Sequence, residues 1–140
     1  ALVTVDLATG GGEIERYVLT EEIGRALNPA MVEGQAVGGV VQGIGGALLE
    51  HMTYDENGQF LSGSFADYLL PTAAEAPPIT AITLEDAPSK MNPMGFKGAG
   101  EGGIVAVAAA IANAVAQATG AKITELPLSP DRLRAHLRQK

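Results

Sequence analysis

Between Asn28 and Leu49 the chain runs through an apolar stretch of helical character that carries six glycines: Gly34, Gly38, Gly39, Gly43, Gly45 and Gly46. Asn28 followed by Pro29 marks a start, with Asn28 as N-cap and Pro29 at the first helical position, so a helix is predicted near 29–50. Each glycine costs a helix interior up to about 1 kcal/mol against alanine. A helix weakened in this way persists where something compensates, and the physical candidate is close backbone approach to a neighbour or a ligand. The rest of the chain is built alike: 18 glycines and 23 alanines stand against six aromatics in 140 residues. Side chains this small fill a core only by tight packing.

Around that helix the pattern is mixed. Leu2–Leu7 and Glu13–Leu19 alternate on either side of Thr9-Gly10-Gly11-Gly12 and predict a β-hairpin. Met52–Tyr54 and Gln59–Leu61 predict a second hairpin, with Asn57-Gly58 supplying the positive-φ residues of a tight turn. Ser64–Pro78 reads as an irregular connection, Ile79–Glu85 as a strand and Asp86–Lys97 as a long loop. The glycine cluster Gly98–Gly103 opens an alanine-rich helix, Ile104–Thr119, that Gly120 stops. Ile123–Leu126 reads as a short strand. Ser129-Pro130 starts a last helix whose Arg132, Arg134, Arg138 and Lys140 suit a helix C-terminus. The fold class expected is α/β (α+β): hairpins and a short mixed sheet with a Gly-rich, an Ala-rich and a short C-terminal helix, residues 1–140 forming a single unit.

Composition narrows the chemistry. Hydrophobic residues at 46% and charged ones at 18% suit a folded core. Nine cations against sixteen anions give a net charge of −7, which disfavours nucleic acid and anionic membranes. The absence of cysteine removes disulfides, thiolate metal sites and thiol nucleophiles. No stretch reads as a membrane span, the nearest being Ala36–Leu49, interrupted by Gln42. The first residue is Ala1, and the opening strand has no lead-in, so the chain is expected to be a fragment or a processed subunit.

Glu101 is the leading candidate for chemistry. A carboxylate just ahead of a helix N-terminus meets the positive end of the helix dipole, which favours its ionised, proton-accepting form. The plainer alternative is that Glu101 caps the helix. Gly98-x-Gly100-x-x-Gly103, with Glu125 further on, also fits the dinucleotide fingerprint, and a small nucleotide-binding module is the runner-up. Asn28–Gln35 with Gln42 could offer neutral amides to a polar ligand, or be polar positions on a helix face. His51 and His136 lack partners at metal-ligand spacing, so no protein metal ligand is assigned. Asp67-Tyr68 and Glu85-Asp86 read as solvated pairs, and Ser62, Ser64 and Thr72 lack a nearby histidine.

Three motifs in order carry a resemblance: Glu33–Gly45 (EGQAVGGVVQGIG), Ser64–Pro71 (SFADYLLP) and Asn92–Gly103 (NPMGFKGAGEGG). Together they resemble the C-terminal end of the molybdopterin-binding large subunit of the xanthine dehydrogenase, aldehyde oxidase and aerobic carbon monoxide dehydrogenase family, the molybdenum hydroxylases. The resemblance runs over nearly the whole chain. It implies oxidative hydroxylation of an aldehyde, N-heterocycle or CO-like substrate with water, Glu101 acting as general base. Gln35 and Gly100 would contact the molybdopterin, and Asn28, Met31 and Val32 would lie in a loop around its phosphate end. Implied with them are the cytosine dinucleotide form of the cofactor, Fe–S and FAD groups on other subunits or domains, and a bacterial, cytoplasmic setting. Glu22-Ile23-Gly24-Arg25 departs from the family's frequent Asp-Cys-Gly-Arg, and Gly102-Gly103 from the Pro-Pro or Ser-Pro of many purine and aldehyde oxidisers. The earlier part of the subunit, with its other pterin contacts, is not in this chain. Alone, the chain is expected to hold the cofactor weakly or not at all and to be inactive until an N-terminal partner closes the pocket. The remaining alternative is an inactive interaction domain.

Overall fold

A computed structural model describes residues 1–138, so Lys140, expected in the last basic turn, lies outside the described residues. The elements in chain order are β1 (Leu2–Val5), β2 (Gly12–Glu22), α1 (Pro29–Leu48), β3 (Ile79–Leu84), α2 (Gly102–Val105), α3 (Val107–Thr119) and α4 (Pro130–Arg138). One three-stranded sheet has the order β1-β2-β3, β1 antiparallel and β3 parallel to β2. The mixed sheet is thus a hairpin extended by a crossover through α1. In the hairpin Leu2 faces Arg16 while Val3 faces Ile14, so β2 carries one residue more than β1. That bulge resets the alternation: Ile14, Tyr17 and Leu19 all reach the core.

The core forms where β2 meets α1 and α3. Ala36, Val40, Ile44 and Ala47 line one face of α1, and Val107, Ile111 and Val115 one face of α3. Leu128, just ahead of α4, and Leu133 within it close the cluster. The glycines of α1 divide by environment. A Cβ at Gly43 would come within 2.5 Å of Val107 Cβ, and one at Gly39 within 3.0 Å of Gly103 Cα. These two let α2 and the start of α3 lie directly on α1, and the packing gained offsets their poor helix propensity. Gly34, Gly38 and Gly46 meet nothing within 4 Å, so close approach within this chain does not account for them.

Several expectations need correction. The Ala-rich helix is broken at Ala106 into α2 and α3, because the first turn docks its glycine on α1 rather than following alanine propensity. Gly120 does end α3, at a left-handed φ of 67°. The second hairpin shrinks to one isolated bridge, Tyr54 with Phe60. Its turn uses only Gly58 at positive φ, +80°, since Asp55 Oδ1 accepts the N–H of Asn57 (2.9 Å) and Gln59 (2.8 Å) and holds Asn57 in ordinary backbone. Ile123–Leu126 is no strand: it pairs with none of β1, β2 and β3, and the following Leu128 N–H bonds instead to Ala47 O at the end of α1 (2.7 Å). Among the described residues, the stretch long and apolar enough by length and composition to cross a membrane is Gly102–Thr119, not Ala36–Leu49. Val107, Ile111 and Val115 bury one face of it in the core.

Candidate active-site loop

The segment Lys97–Gly103 is held between the end of β2 and the first half of α1. Asn28 caps α1 as expected, its Oδ1 accepting Met31 N–H at 3.2 Å while Val32 N–H donates to Asn28 O at 3.1 Å. Asn28, Met31 and Val32 therefore form the cap and first turn of a helix and not a free loop. Two turns on, the exposed Gln35 donates from Nε2 to Gly100 O at 2.9 Å. This bond joins two predicted residues 65 positions apart. Just beyond it Gly103 is buried against α1, where a Cβ would lie 2.5 Å from Ala36 O.

Between these grips stands Glu101. It occupies the N-cap of α2 with φ −113° and ψ −3°, yet its side chain makes no capping hydrogen bond. The carboxylate is exposed and is not spent on helix structure. The dipole argument is reduced, because the helix behind Glu101 is the four-residue α2 and not one continuous Ala-rich rod. Gly98 and Gly100 have no positive φ and no neighbour within 4 Å of a would-be Cβ. Nothing in this chain demands glycine at either position. Bare backbone beside a free carboxylate fits a site where a large group approaches the main chain.

Residues that sequence reasoning passed over complete the surroundings. Glu22, the last residue of β2, accepts N–H bonds from Gly24 (2.8 Å) and Ala87 (3.1 Å) at Oε1 and pairs with Lys97 Nζ through Oε2. The Lys97 hydrogen bond, foremost, holds its carboxyl below the usual range. Its neighbour Glu21 points the other way: both carboxylate oxygens are shielded from solvent with no hydrogen-bond partner, against Gly102. Burial pushes that carboxyl above its ordinary 4.5. Two consecutive acids at the end of a strand were the available signal. Tyr68 is not a solvated loop residue, since its Oη donates to Glu50 Oε2 at 2.5 Å. His51 Nε2 lies 3.2 Å from an Arg132 guanidinium nitrogen, and among the described residues no three His, Asp or Glu side chains gather as a metal site.

The dinucleotide fingerprint loses its setting. β3 ends at Leu84 and a long loop separates it from Gly98, so no strand runs into the glycines, and Glu125 stands on no strand.

The chain is similar to known proteins. Residues 1–77 match the family model of the molybdopterin cofactor-binding domain. The chain is 47% identical over 133 residues to the 6-hydroxypseudooxynicotine dehydrogenase complex subunit gamma of Paenarthrobacter nicotinovorans, covering 94% of this chain and 17% of the relative. It is 38% identical over 132 residues to the aldehyde oxidoreductase molybdenum-binding subunit PaoC of Escherichia coli K12, covering 94% and 18%. Carbon monoxide dehydrogenase from Oligotropha carboxidovorans superposes with a TM-score of 0.91 at 32% identity, over 98% of this chain and 17% of that one. The fold is therefore that of a molybdenum-cofactor oxidoreductase. More particularly, the chain belongs to the family of molybdopterin-binding large subunits of the xanthine, aldehyde and carbon monoxide dehydrogenases, and it spans about a sixth of their length.

Proposed function

We propose that this chain supplies one wall of a molybdopterin site, with Glu101 as the general base of an oxidative hydroxylation and Gln35, Gly100, Asn28, Met31 and Val32 as cofactor contacts. The observation that carries the reading is the Gln35 to Gly100 hydrogen bond, which fixes the loop immediately before a carboxylate that caps nothing. The residues fit such a group: open glycines for close approach, a neutral amide at the pterin edge, and a 20-residue helix presenting its N-terminus to the anionic end. When bound, the cofactor provides the two-electron sink of the reaction. Glu101 would take up, at a carboxylate oxygen, the proton that a water molecule gives up as its oxygen joins the substrate carbon, while two electrons, with the hydrogen of the C–H bond that breaks where the substrate has one, leave that carbon for the sink. Gln35 and Gly103 keep the loop from drifting as that proton moves. The substrate class is an aldehyde, an N-heterocycle or a CO-like molecule, and electrons leave through Fe–S and FAD groups carried elsewhere.

The cofactor form proposed is the cytosine dinucleotide, in the bacterial cytoplasm. Turnover requires the remainder of the large subunit, because a pterin needs a closed pocket and the exposed residues at the start of α1 would supply only one wall of it. The test is Glu101→Gln in the intact enzyme, where kcat is expected to fall about a hundredfold or more with molybdenum content unchanged. Full turnover by a molybdenum-loaded variant overturns the reading.

A further inference from the structure

The loop that carries Glu101 is rich in glycine and hence intrinsically loose. Gln35 and Gly103 hold it from the α1 side, at Gly100 and just after it. Its other end depends on Lys97. There the backbone N–H donates to Ile23 O at 2.8 Å, and the ammonium pairs with Glu22. Glu22 is itself fixed by three elements. It ends β2, its Oε1 takes N–H groups from Gly24 and from Ala87 in the loop after β3, and Oε2 takes Lys97. A Cβ at Gly24, where φ is +75°, would collide with Gly95 O, so the turn after β2 and the turn before Lys97 are pressed together. In a chain of nine cations and sixteen anions, this is the one ion pair among the described residues. The Lys97 and Glu22 side chains are only 37% and 25% exposed, so the pair is partly withdrawn from screening.

We propose that Glu22 is a positioning residue for the reaction: through Lys97 it anchors the upstream end of Gly98–Glu101 to β2 and sets where the base stands. The inference rests on Glu101 being that base. A hydrogen-bonded carboxylate suits the task because one group ties two loop amides and one ammonium to a strand end, leaving the glycines open beside the cofactor. A displacement of about 1 Å at a catalytic group costs up to about a hundredfold in rate. Loss of the anchor therefore acts on turnover before it acts on binding.

The test uses the intact, cofactor-loaded enzyme and two variants. Glu22→Gln keeps an acceptor oxygen for Gly24 and Ala87 but removes the charge that holds Lys97; Glu22→Asp keeps the charge. In Glu22→Gln, exchange of the Lys97 amide at the head of the loop, whose N–H donates to Ile23 O, is expected to rise about tenfold or more while exchange in α1 and α3 is unchanged. With it kcat falls about 10- to 100-fold, KM stays within about twofold, and Glu22→Asp recovers most of kcat. Unchanged exchange of the Lys97 amide in Glu22→Gln overturns the proposal, as does faster exchange spread through α1 and α3 with loss of molybdenum. Exchange does not depend on what Glu101 does. Should Glu101→Gln turn over normally, the base reading fails by itself, and the exchange result still decides the anchor.

Discussion

Adjacent acids at the end of β2 have opposite electrostatics. Glu22, paired with Lys97, is held ionised below its ordinary range, whereas Glu21 is shielded without a partner and held above it. For Glu21 the folded state keeps its proton to a higher pH than the unfolded chain does. Its contribution is neutral below the ordinary value of 4.5 and becomes a penalty as pH rises through the raised value. Glu21→Gln is therefore expected to raise the thermal midpoint of the subunit at pH 7, the gain vanishing when the same melts are run below about pH 4.5. A gain that persists unchanged in acid contradicts this account. Gly102 answers to the same carboxylate, since a Cβ there would strike Glu21 Oε2. Gly102→Ala should cost less stability in a Glu21→Ala background than alone, a coupling that a double-mutant cycle measures. The two acids at a strand end could be read in the sequence, but the orphaning of one of them, like the Gln35 to Gly100 contact across 65 positions, is set by tertiary packing.

Helices α1, α2 and α3 show which local signals survive folding. The start of α1 was readable because Asn28 and Pro29 act on their own neighbours, and the left-handed Gly120 ends α3 for the same reason. The break at Ala106 was not, because alanine propensity describes an isolated helix, while the first turn is placed by Gly103 sinking onto Ala36. Ile123–Leu126 failed likewise, since β-branched residues favour a strand only where a sheet edge is free to pair. The helix contact makes a further prediction. An added Cβ at Gly103 would face backbone, Ala36 O at 2.5 Å and Ala36 Cα at 3.1 Å, and backbone cannot rotate away. Gly103→Ala should destabilise the subunit by about 1–3 kcal/mol in denaturant melts. It should also lower kcat, because the same glycine fixes the downstream end of the Glu101 loop. A variant as stable as the parent would mean that α1 and α2 are not in close backbone contact.

On the scale of the whole chain, the apolar surface left outside is as informative as the core. Met31, Phe65, Met91 and Val105 are 71–93% exposed, and Leu27, Met94 and Phe96 lie in the segments that flank the Glu101 loop. Gly34 and Gly38 face open space on the same side of α1 as Gln35. A monomer seldom exposes so much apolar area without a partner. The chain covers 17% of its relative from Paenarthrobacter nicotinovorans, which leaves ample polypeptide to cover that area. A body packing on them from outside would account for the glycines without neighbours, as Gly103 and Val107 account for Gly39 and Gly43 within. Produced alone, residues 1–140 should bind an apolar fluorescent dye strongly and carry no molybdenum. Produced together with the remainder of the large subunit as a separate polypeptide, they should co-purify as a complex that excludes the dye and contains the metal, through an interface well above 1,000 Å² on the usual scale of stable contacts, roughly. Gly38→Ala, harmless or mildly stabilising to an isolated helix by up to about 1 kcal/mol, should weaken that complex, because a methyl group would occupy the space left for the partner. A dye-free monomer with no affinity for the remainder would show that the open face of α1 is a surface in its own right, and the split-site account of the chain would fall with it.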